Sequence, residues 1–168
     1  GGRKDDPAVA RIEQDSQIAA AVSWLAEKGL LHPEKHARAA AMAEGTQERL
    51  DLVLVKLRLI DEEHLAQALS VACGLPLVRE ADFPPVSPFT DQLNTGYLRA
   101  QRVAPLRQDD ETMLLVMADP FNHEAANAVR FKTGLRVNRA IGVGREIDGW
   151  LASSATRAGQ DNASVAPD

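Results

Sequence analysis

The residues of this chain that could bind a metal or act as a nucleophile are four histidines and one cysteine. His32 and His36 lie four positions apart, a spacing that on a continuous helix would let both imidazoles share a zinc ion. Pro33 argues against this arrangement, because proline favours the first turn of a helix and so predicts that His32 caps it. Cys73 precedes Gly74 at a predicted helix end, where backbone carbonyl groups disfavour the reactive thiolate. We therefore expect no metal site and no catalytic residue.

Two glycine-containing segments could bind a phosphate, and both are incomplete. A phosphate loop has the pattern G-x-x-x-x-G-K-[ST], whereas Lys132-Thr133-Gly134 carries similar residue types in a different order at a predicted helix end. Gly142-Val143-Gly144 lacks the third glycine of a dinucleotide-binding turn and predicts a flexible loop after a strand. The chain by itself is therefore expected to be neither an enzyme nor a cofactor-binding protein.

Two groups of cationic residues could contact an acidic partner. They are Arg99, Arg102 and Arg107, and farther along the chain Arg130, Lys132, Arg136 and Arg139. Acidic residues are interspersed with both groups, which favours an ordinary solvated surface. The alternative is an acidic face of a protein partner, because arginine pairs well with carboxylates.

Composition limits the class of protein. The chain has 168 residues, of which 24 are acidic and 19 basic, giving a net charge of −5. A dedicated nucleic-acid binder usually carries a basic face, so no nucleic-acid partner is expected. A single cysteine excludes a disulfide framework and fits a reducing compartment such as the cytoplasm. No apolar run reaches the roughly 18–20 residues that cross a bilayer, and the opening Gly1-Gly2 predicts a piece of a longer protein.

Composition and periodicity divide the chain into four segments. Residues 1–16 are charged and only weakly periodic, and residues 153–168 are poor in large apolar side chains. Both are expected to be flexible, the second as a linker or tail, because they offer little burial to offset the entropy of ordering. Residues 17–75 predict a helical subdomain, and residues 76–152 predict an α/β subdomain.

The helical subdomain predicts four helices. Apolar residues recur at helical spacing, among them Ile18, Val22 and Leu25 in the first helix. Glycines at positions 29, 45 and 74 are placed to end the first, second and fourth helices. In the third helix, over residues 47–57, leucine at every second position also fits a strand, and this alternative stays open.

An internal repeat relates the two halves of the helical subdomain. A shift of 29 residues aligns Leu25–Leu31 with Leu54–Ile60 and brings Glu34 onto Glu63. Two copies of a helix, a tight turn and a second helix predict a pair of helical hairpins packed as a small bundle.

The α/β subdomain mixes short strands with short helices. The predicted strands cover residues 75–78, 103–107, 112–118 and 135–141, and the predicted helices cover residues 91–101, 122–132 and 146–151. The expected fold class is therefore α+β, with an N-terminal pair of helical hairpins followed by a small mixed α/β sandwich.

Several segments in register resemble one known family. They are Leu57–Leu69 followed by Gly74–Val78, then Arg102–Leu106, Leu115–Pro120 and Val129–Gly134. In this order and spacing they resemble the N-terminal domain of type II secretion and type IV pilus assembly ATPases.

The resemblance implies a docking and regulatory domain that is cytoplasmic and peripheral to the inner membrane. It implies a partner, the cytoplasmic domain of a bitopic inner-membrane secretion protein, and a motor domain downstream in the same chain that binds ATP and Mg²⁺. Two alternatives stay open. The domain could sense cyclic di-GMP for such an ATPase, or it could be attached to a membrane glycosyltransferase.

The cyclic di-GMP motif that the resemblance implies is degenerate in this chain. Arg49 and Leu50 match its start, but Asp51 and Arg58 stand where its two glycines belong. Glycine would let the backbone approach a ligand closely, whereas a carboxylate adds bulk and repels a dianion. Arg49, Leu50 and Arg58 are therefore only degenerate candidates, and we expect no cyclic di-GMP binding.

Overall fold

The structure is a computed structural model that describes the backbone of residues 6–165 and the side chains of residues 6–154. The chain forms two compact units, a helical unit within residues 1–75 and an α/β unit within residues 76–168. Together the described residues form seven α-helices and a three-stranded mixed sheet. The predicted α+β fold class is confirmed.

The helical unit contains four α-helices. They are α1 (Pro7–Glu27), α2 (Pro33–Thr46), α3 (Leu50–Lys56) and α4 (Glu62–Cys73). Helix α1 packs against α4, and α2 packs against α3. The core of the unit is aliphatic, with Leu25, Leu54 and Leu69 almost fully buried. The third predicted helix is thus confirmed as a helix, and the strand alternative was wrong, because its apolar residues bury a helical face.

Helix α1 begins earlier than the sequence predicted. Residues 7–16 were expected to belong to a flexible segment, and that prediction was wrong. The Asp6 side chain accepts a hydrogen bond from the Ala8 N–H (2.9 Å), and Pro7 occupies the first helical position. These caps start the helix although residues 7–16 bury almost nothing. Residues 1–5 lie outside the described part of the chain.

The predicted repeat is visible in the two turns that join its helices. The Leu30 N–H donates to the Leu25 carbonyl, and 29 residues later the Leu59 N–H donates to the Leu54 carbonyl, both at 2.9 Å. The residue before each donor, Gly29 or Arg58, has a left-handed backbone with φ of +71° or +57°. This conformation costs a non-glycine residue roughly 1–2 kcal/mol, so Arg58 holds at some cost a geometry that Gly29 adopts freely.

The end of α2 differs from its prediction. Gly45 was expected to end this helix, but α2 continues to Thr46 and the left-handed residue is Gln47, with φ of +57°. The Thr46 hydroxyl donates to the Met42 carbonyl (2.9 Å) inside the last turn. In α4 the prediction holds, since Gly74 takes the left-handed conformation directly after Cys73.

The described residues of the α/β unit, 76–165, form three α-helices, a 3-10 helix and three strands. Before the sheet come the 3-10 helix (Glu80–Asp82) and α5 (Thr95–Gln101), then β1 (Val103–Arg107), β2 (Thr112–Met117), α6 (His123–Thr133), β3 (Arg136–Ile141) and α7 (Gly144–Val165). Strands β1 and β2 form an antiparallel hairpin, and β3 runs parallel to β2. Helix α6 connects the parallel pair, and β2 is the central strand.

Two predicted elements before the sheet are shorter than expected. Residues 75–78 form only a bridge, in which the Val78 N–H donates to the Ile141 carbonyl and the Ile141 N–H to the Pro76 carbonyl, both at 2.8 Å. Pro76 has no N–H with which to extend the pairing. The helix expected from Asp91 instead begins at Thr95, because the Asn94 side chain caps it by accepting the Tyr97 N–H.

Helix α7 extends well beyond its predicted end at Leu151. It runs from Gly144 to Val165, so residues 153–165, which were expected to be a flexible linker or tail, form helix. Its first half is fixed by burial of Ile147, Trp150 and Leu151 against the sheet. Residues 166–168 lie outside the described part of the chain.

The loop at Gly142 is tightly packed, which gives a test of the packing between the sheet and α7. A Cβ atom at Gly142 would lie 2.5 Å from Cγ1 of Val116 and 3.0 Å from Cδ1 of Ile147, both buried side chains. Gly142→Ala is therefore expected to lower the free energy of unfolding by about 1–3 kcal/mol, measured by urea denaturation.

Gly149→Ala is the matched control, because nothing lies within 4 Å of its Cβ position on the exposed side of α7. That substitution should raise the free energy of unfolding by about 0.5–1 kcal/mol through helix propensity. Equal stability of the two variants would contradict the packing described for Gly142.

Candidate functional site

Of the histidines and the cysteine, His32 has a defined structural role at a helix end. His32 caps α2, as predicted, with its Nδ1 accepting the Glu34 N–H (3.1 Å), and His36 is half-buried one turn later. Cys73 is a half-buried residue at the end of α4. Within the described residues, no group of three or more His, Cys, Asp or Glu side chains could hold a metal ion.

The two glycine-containing segments do not form phosphate-binding loops. The Thr133 hydroxyl donates to the Val129 carbonyl (2.8 Å), and Gly134 ends α6 with φ of +71°. Gly142 and Gly144, expected in a flexible loop, are instead buried in tight packing; a Cβ atom at Gly144 would lie 2.3 Å from the Arg102 guanidinium. These glycines therefore serve close packing and helix termination.

Arg49, the first residue of the degenerate nucleotide motif, pairs with a buried carboxylate. Its guanidinium donates two hydrogen bonds to the Asp51 carboxylate, from Nε to Oδ1 (3.1 Å) and from Nη2 to Oδ2 (2.6 Å). The Asp51 side chain is 1% exposed and that of Arg49 is 22% exposed. Arginine would use the same bidentate geometry to bind the phosphate of a ligand. In this chain the Asp51 carboxylate takes the position that such a phosphate would occupy.

Of the other two motif candidates, Leu50 lies between the paired residues in sequence, and only Arg58 lies apart from them. Leu50 is half-buried at the start of α3, and Arg58 is exposed in the turn after α3. Two turns of helix separate Arg58 from Arg49, about 10 Å along the axis. The structure therefore brings together Arg49 and Asp51, whose pairing the sequence did not predict.

Three of the seven cationic residues singled out in the sequence make contacts within the α/β unit. Arg102 pairs with Asp148 of α7 at 2.8 Å, and the Arg107 guanidinium lies 4.6 Å from the centre of the Phe89 ring. Arg139 donates to the Pro120 carbonyl at 2.6 Å. These side chains therefore stabilise the α/β unit itself.

A salt bridge fastens the 3-10 helix to α7. The Glu146 carboxylate accepts hydrogen bonds from Nη2 of Arg79 (2.6 Å) and from the Glu80 N–H (2.9 Å). The Arg79 contact, with the Glu80 N–H, holds the pKa of Glu146 below its ordinary value. This carboxylate is therefore ionised at neutral pH and stabilises the attachment of the 3-10 helix to α7.

Exposed apolar side chains are concentrated in the helical unit. Five of the seven large apolar residues that are exposed in the described chain belong to it: Val9 (39%), Ile12 (69%), Met42 (43%), Leu52 (44%) and Val71 (62%). Met42 and Leu52 flank the turn between α2 and α3. The sequence alone did not select these residues, because only the structure shows which apolar positions the core leaves uncovered.

The described helices give no membrane span, since none of them is long and apolar enough to cross a bilayer.

Comparison with known proteins gives one family match. The family model of the MshEN domain matches residues 73–159, more than half of the chain. The chain is 30% identical over 141 residues to "Type II secretion system protein E" of Xanthomonas campestris pv. campestris, covering 82% of this chain and 25% of that protein. It is 28% identical over 124 residues to "Type IV pilus assembly ATPase PilB" of Pseudomonas aeruginosa, covering 71% of this chain and 21% of that protein. The chain thus spans about a quarter of the length of these relatives.

Solved structures show the same fold. The N-terminal domain of XpsE superposes with a TM-score of 0.69 and 27% identity, covering 82% of this chain and 95% of that one. MshE solved with cdg superposes with a TM-score of 0.59 and covers 79% of this chain and 97% of that one. Its identity of 20% supports a shared fold alone.

Proposed function

Because the chain belongs to the MshEN domain family, we propose that it is the noncatalytic N-terminal docking domain of a bacterial type II secretion ATPase. The observation that carries this proposal is the likeness to the XpsE N-terminal domain, at a TM-score of 0.69 over 95% of that chain. In this proposal ATP and Mg²⁺ bind a motor domain outside this chain. The domain is cytoplasmic and reaches the inner membrane through a partner.

The proposed partner is the cytoplasmic domain of a bitopic inner-membrane secretion protein, docking on the helical unit. What supports this site is the concentration of exposed apolar side chains there, with Met42 and Leu52 beside the same turn. Covering the part of Leu52 that is still exposed (44%) contributes about 1 kcal/mol. The preformed helices add little ordering cost to binding, since their core is already packed.

Helix α7 supports the coupling part of the proposal. Its backbone continues as a helix to Val165, well past the buried residues of its first half. A helix holds the direction in which the chain leaves a domain, whereas a flexible coil sets only its reach. We therefore propose that α7 passes the orientation of the docked domain to the motor.

Isothermal titration of this chain with the matching partner's cytoplasmic domain tests the docking. Saturable binding on the order of 1–50 µM is expected, and Leu52→Asp should weaken it at least about tenfold, equivalent to 1.4 kcal/mol. Val86→Asp is the matched control, because Val86 is similarly exposed (38%) but belongs to the α/β unit. No heat at high micromolar concentration, or equal binding by Leu52→Asp, would overturn docking by the helical unit.

The same titration with cyclic di-GMP addresses the alternative of a ligand sensor. No saturable heat is expected, and what supports this expectation is the pairing of Arg49 with Asp51. Saturable micromolar binding that disappears in Arg49→Ala would instead support the sensor.

A further inference from the structure

We propose that the end of α6 and the start of β3 form a second docking site, which takes an extended acidic segment of a partner protein. The site, called the Phe131 patch below, consists of Asn127, Arg130, Phe131, Leu135 and Arg136, which line an open depression of about 900 Å³. All five residues belong to the α/β unit, whereas the surface proposed above belongs to the helical unit.

Phe131 is the first reason for the proposal. Its side chain is 87% exposed, the largest fraction for any large apolar residue in the described chain, ahead of Ile12 at 69%. The inward face of α6 is formed by Ala125 and Val129, both fully buried. Phe131 follows Val129 by two residues, about 200° around the helix, and so points away from the sheet. Single exposed apolar residues are common, so the patch needs further support.

The charges around Phe131 supply that support. Arg130 and Lys132 are exposed on either side of it in sequence, and Arg136 is exposed at the start of β3. Neither Arg130 nor Lys132 makes an ion pair with the described residues. Cations in the last turn of α6 favour its dipole, but that effect explains neither Arg136 nor Phe131. The patch is thus locally positive in a chain whose net charge is −5.

One carboxylate faces this charge. Asp109, in the turn between β1 and β2, interacts electrostatically with Arg136. Its Oδ1 atom already accepts the N–H groups of Glu111 and Thr112, each at 2.8 Å. Because Asp109 is engaged in its own turn, Arg136 and Arg130 can still pair with carboxylates from a partner.

The backbone of β3 explains why the segment would be extended. Strand β3 lies at the edge of the sheet. On its outer side, the described residues form one bridge with it, between Leu77 and Ile141. The Ile141 N–H points outward to the Pro76 carbonyl, and residues alternate along a strand. Val137 and Arg139 therefore also direct their backbone N–H groups to this open edge, where an added strand can pair.

These three features together define the occupant. An added strand alongside β3 can place an apolar side chain against Phe131 and Leu135. Its carboxylates can then pair with Arg130 and Arg136, since arginine binds carboxylates in a bidentate way. An acidic segment with alternating apolar residues meets all three requirements.

A fluorescence anisotropy titration of this chain with a fluorescein-labelled peptide of four Glu-Val repeats tests the proposal. Binding on the order of 10–100 µM is expected, and it should weaken in high salt because the charges are exposed. Phe131→Ser and Arg136→Glu should each weaken it roughly tenfold or more. Val86→Ser is the matched control for Phe131→Ser and should bind as the unmodified chain does. Leu52→Asp should also leave peptide binding unchanged, which separates this site from the helical docking surface.

Three results would overturn the proposal. Phe131→Ser could bind the Glu-Val peptide as tightly as the unmodified chain, or a Lys-Val peptide could bind as tightly as Glu-Val. Light scattering could also show a dimer of this chain that Phe131→Ser abolishes. The Phe131 patch would then be the interface with a second copy of the chain.

Discussion

Arg49→Ala is expected to lower the free energy of unfolding of the helical unit by about 2–4 kcal/mol. Breaking a buried ion pair typically costs about 3–5 kcal/mol, because it leaves an uncompensated charge. The cost here should be somewhat smaller, since the Arg49 side chain is 22% exposed while that of Asp51 is 1% exposed. Urea denaturation followed by Trp24 fluorescence, in a Trp150→Phe background, reads the helical unit alone because Trp24 lies in α1.

The double variant Arg49→Met, Asp51→Leu separates the buried charge from the loss of packing. It removes both charges and keeps apolar volume, a replacement that is often neutral or stabilising for buried pairs. We therefore expect it to be more stable than Arg49→Ala. Two results would contradict this account: Arg49→Ala unfolding at the same urea concentration as the parent chain, or the double variant being less stable than Arg49→Ala. Either would mean that the buried Asp51 charge is not stabilised by Arg49.

The Arg49–Asp51 pair also shows what the sequence could not reveal. From the motif alone, Asp51 was expected to add bulk and negative charge where a glycine belongs. Residues two apart do not face each other on a helix, so pairing at this spacing was not predicted. The pairing arises because Arg49 lies just before α3 and has an extended backbone (φ −68°, ψ 135°). Its guanidinium can therefore fold over the first turn of the helix and contact Asp51.

Core periodicity was the most dependable signal in the sequence. Ile18, Val22 and Leu25 are buried as their helical spacing predicted, and the repeat of 29 residues appears as matching turns. The positions of β1, β2, α6 and β3 were also predicted to within one residue at each end, since their apolar runs are bounded by polar turns.

The ends of the longest helices were poorly predicted, because burial does not determine them. In α1, residues 7–16 are helical through capping at Asp6 and Pro7, with few buried side chains. In α7, the helix continues past Leu151 once its first half is packed. Adding residues to an existing helix costs less than nucleating one, so a rule based on burial places helix ends too close to the core.

The exposed positions that carry both docking proposals were not predictable either. Leu52 and Phe131 look like ordinary members of helical patterns in the sequence. Only the packing of α3 and α6 shows that the core uses their neighbours, Val53 and Val129, and leaves Leu52 44% and Phe131 87% exposed.

Trp150 joins α7 to the proline-rich segment formed by residues 83–88, which precedes α5. Its side chain is 4% exposed, and its Nε1 donates to the Pro84 carbonyl at 2.6 Å. The Phe83 ring lies edge-on to it, with ring centres 5.1 Å apart and planes at 64°. One turn later along α7, the Ser154 hydroxyl accepts the Ser87 N–H. A segment with little regular structure thus hydrogen-bonds to α7 through the Trp150 indole and the Ser154 hydroxyl.

Trp150→Ala is expected to destabilise the α/β unit by about 3–5 kcal/mol, because it leaves a cavity under this segment and an unpaired Pro84 carbonyl. Trp150→Phe keeps most of the apolar volume and should cost only about 1–2 kcal/mol, chiefly the lost hydrogen bond. Hydrogen exchange of the β2 amides measures both costs, since the central strand opens only when the unit unfolds. Trp24→Ala is the matched control, because Trp24 lies in the helical unit and should leave β2 exchange unchanged. If Trp150→Ala accelerated β2 exchange no more than Trp24→Ala did, the indole would not be what holds α7 and the proline-rich segment together.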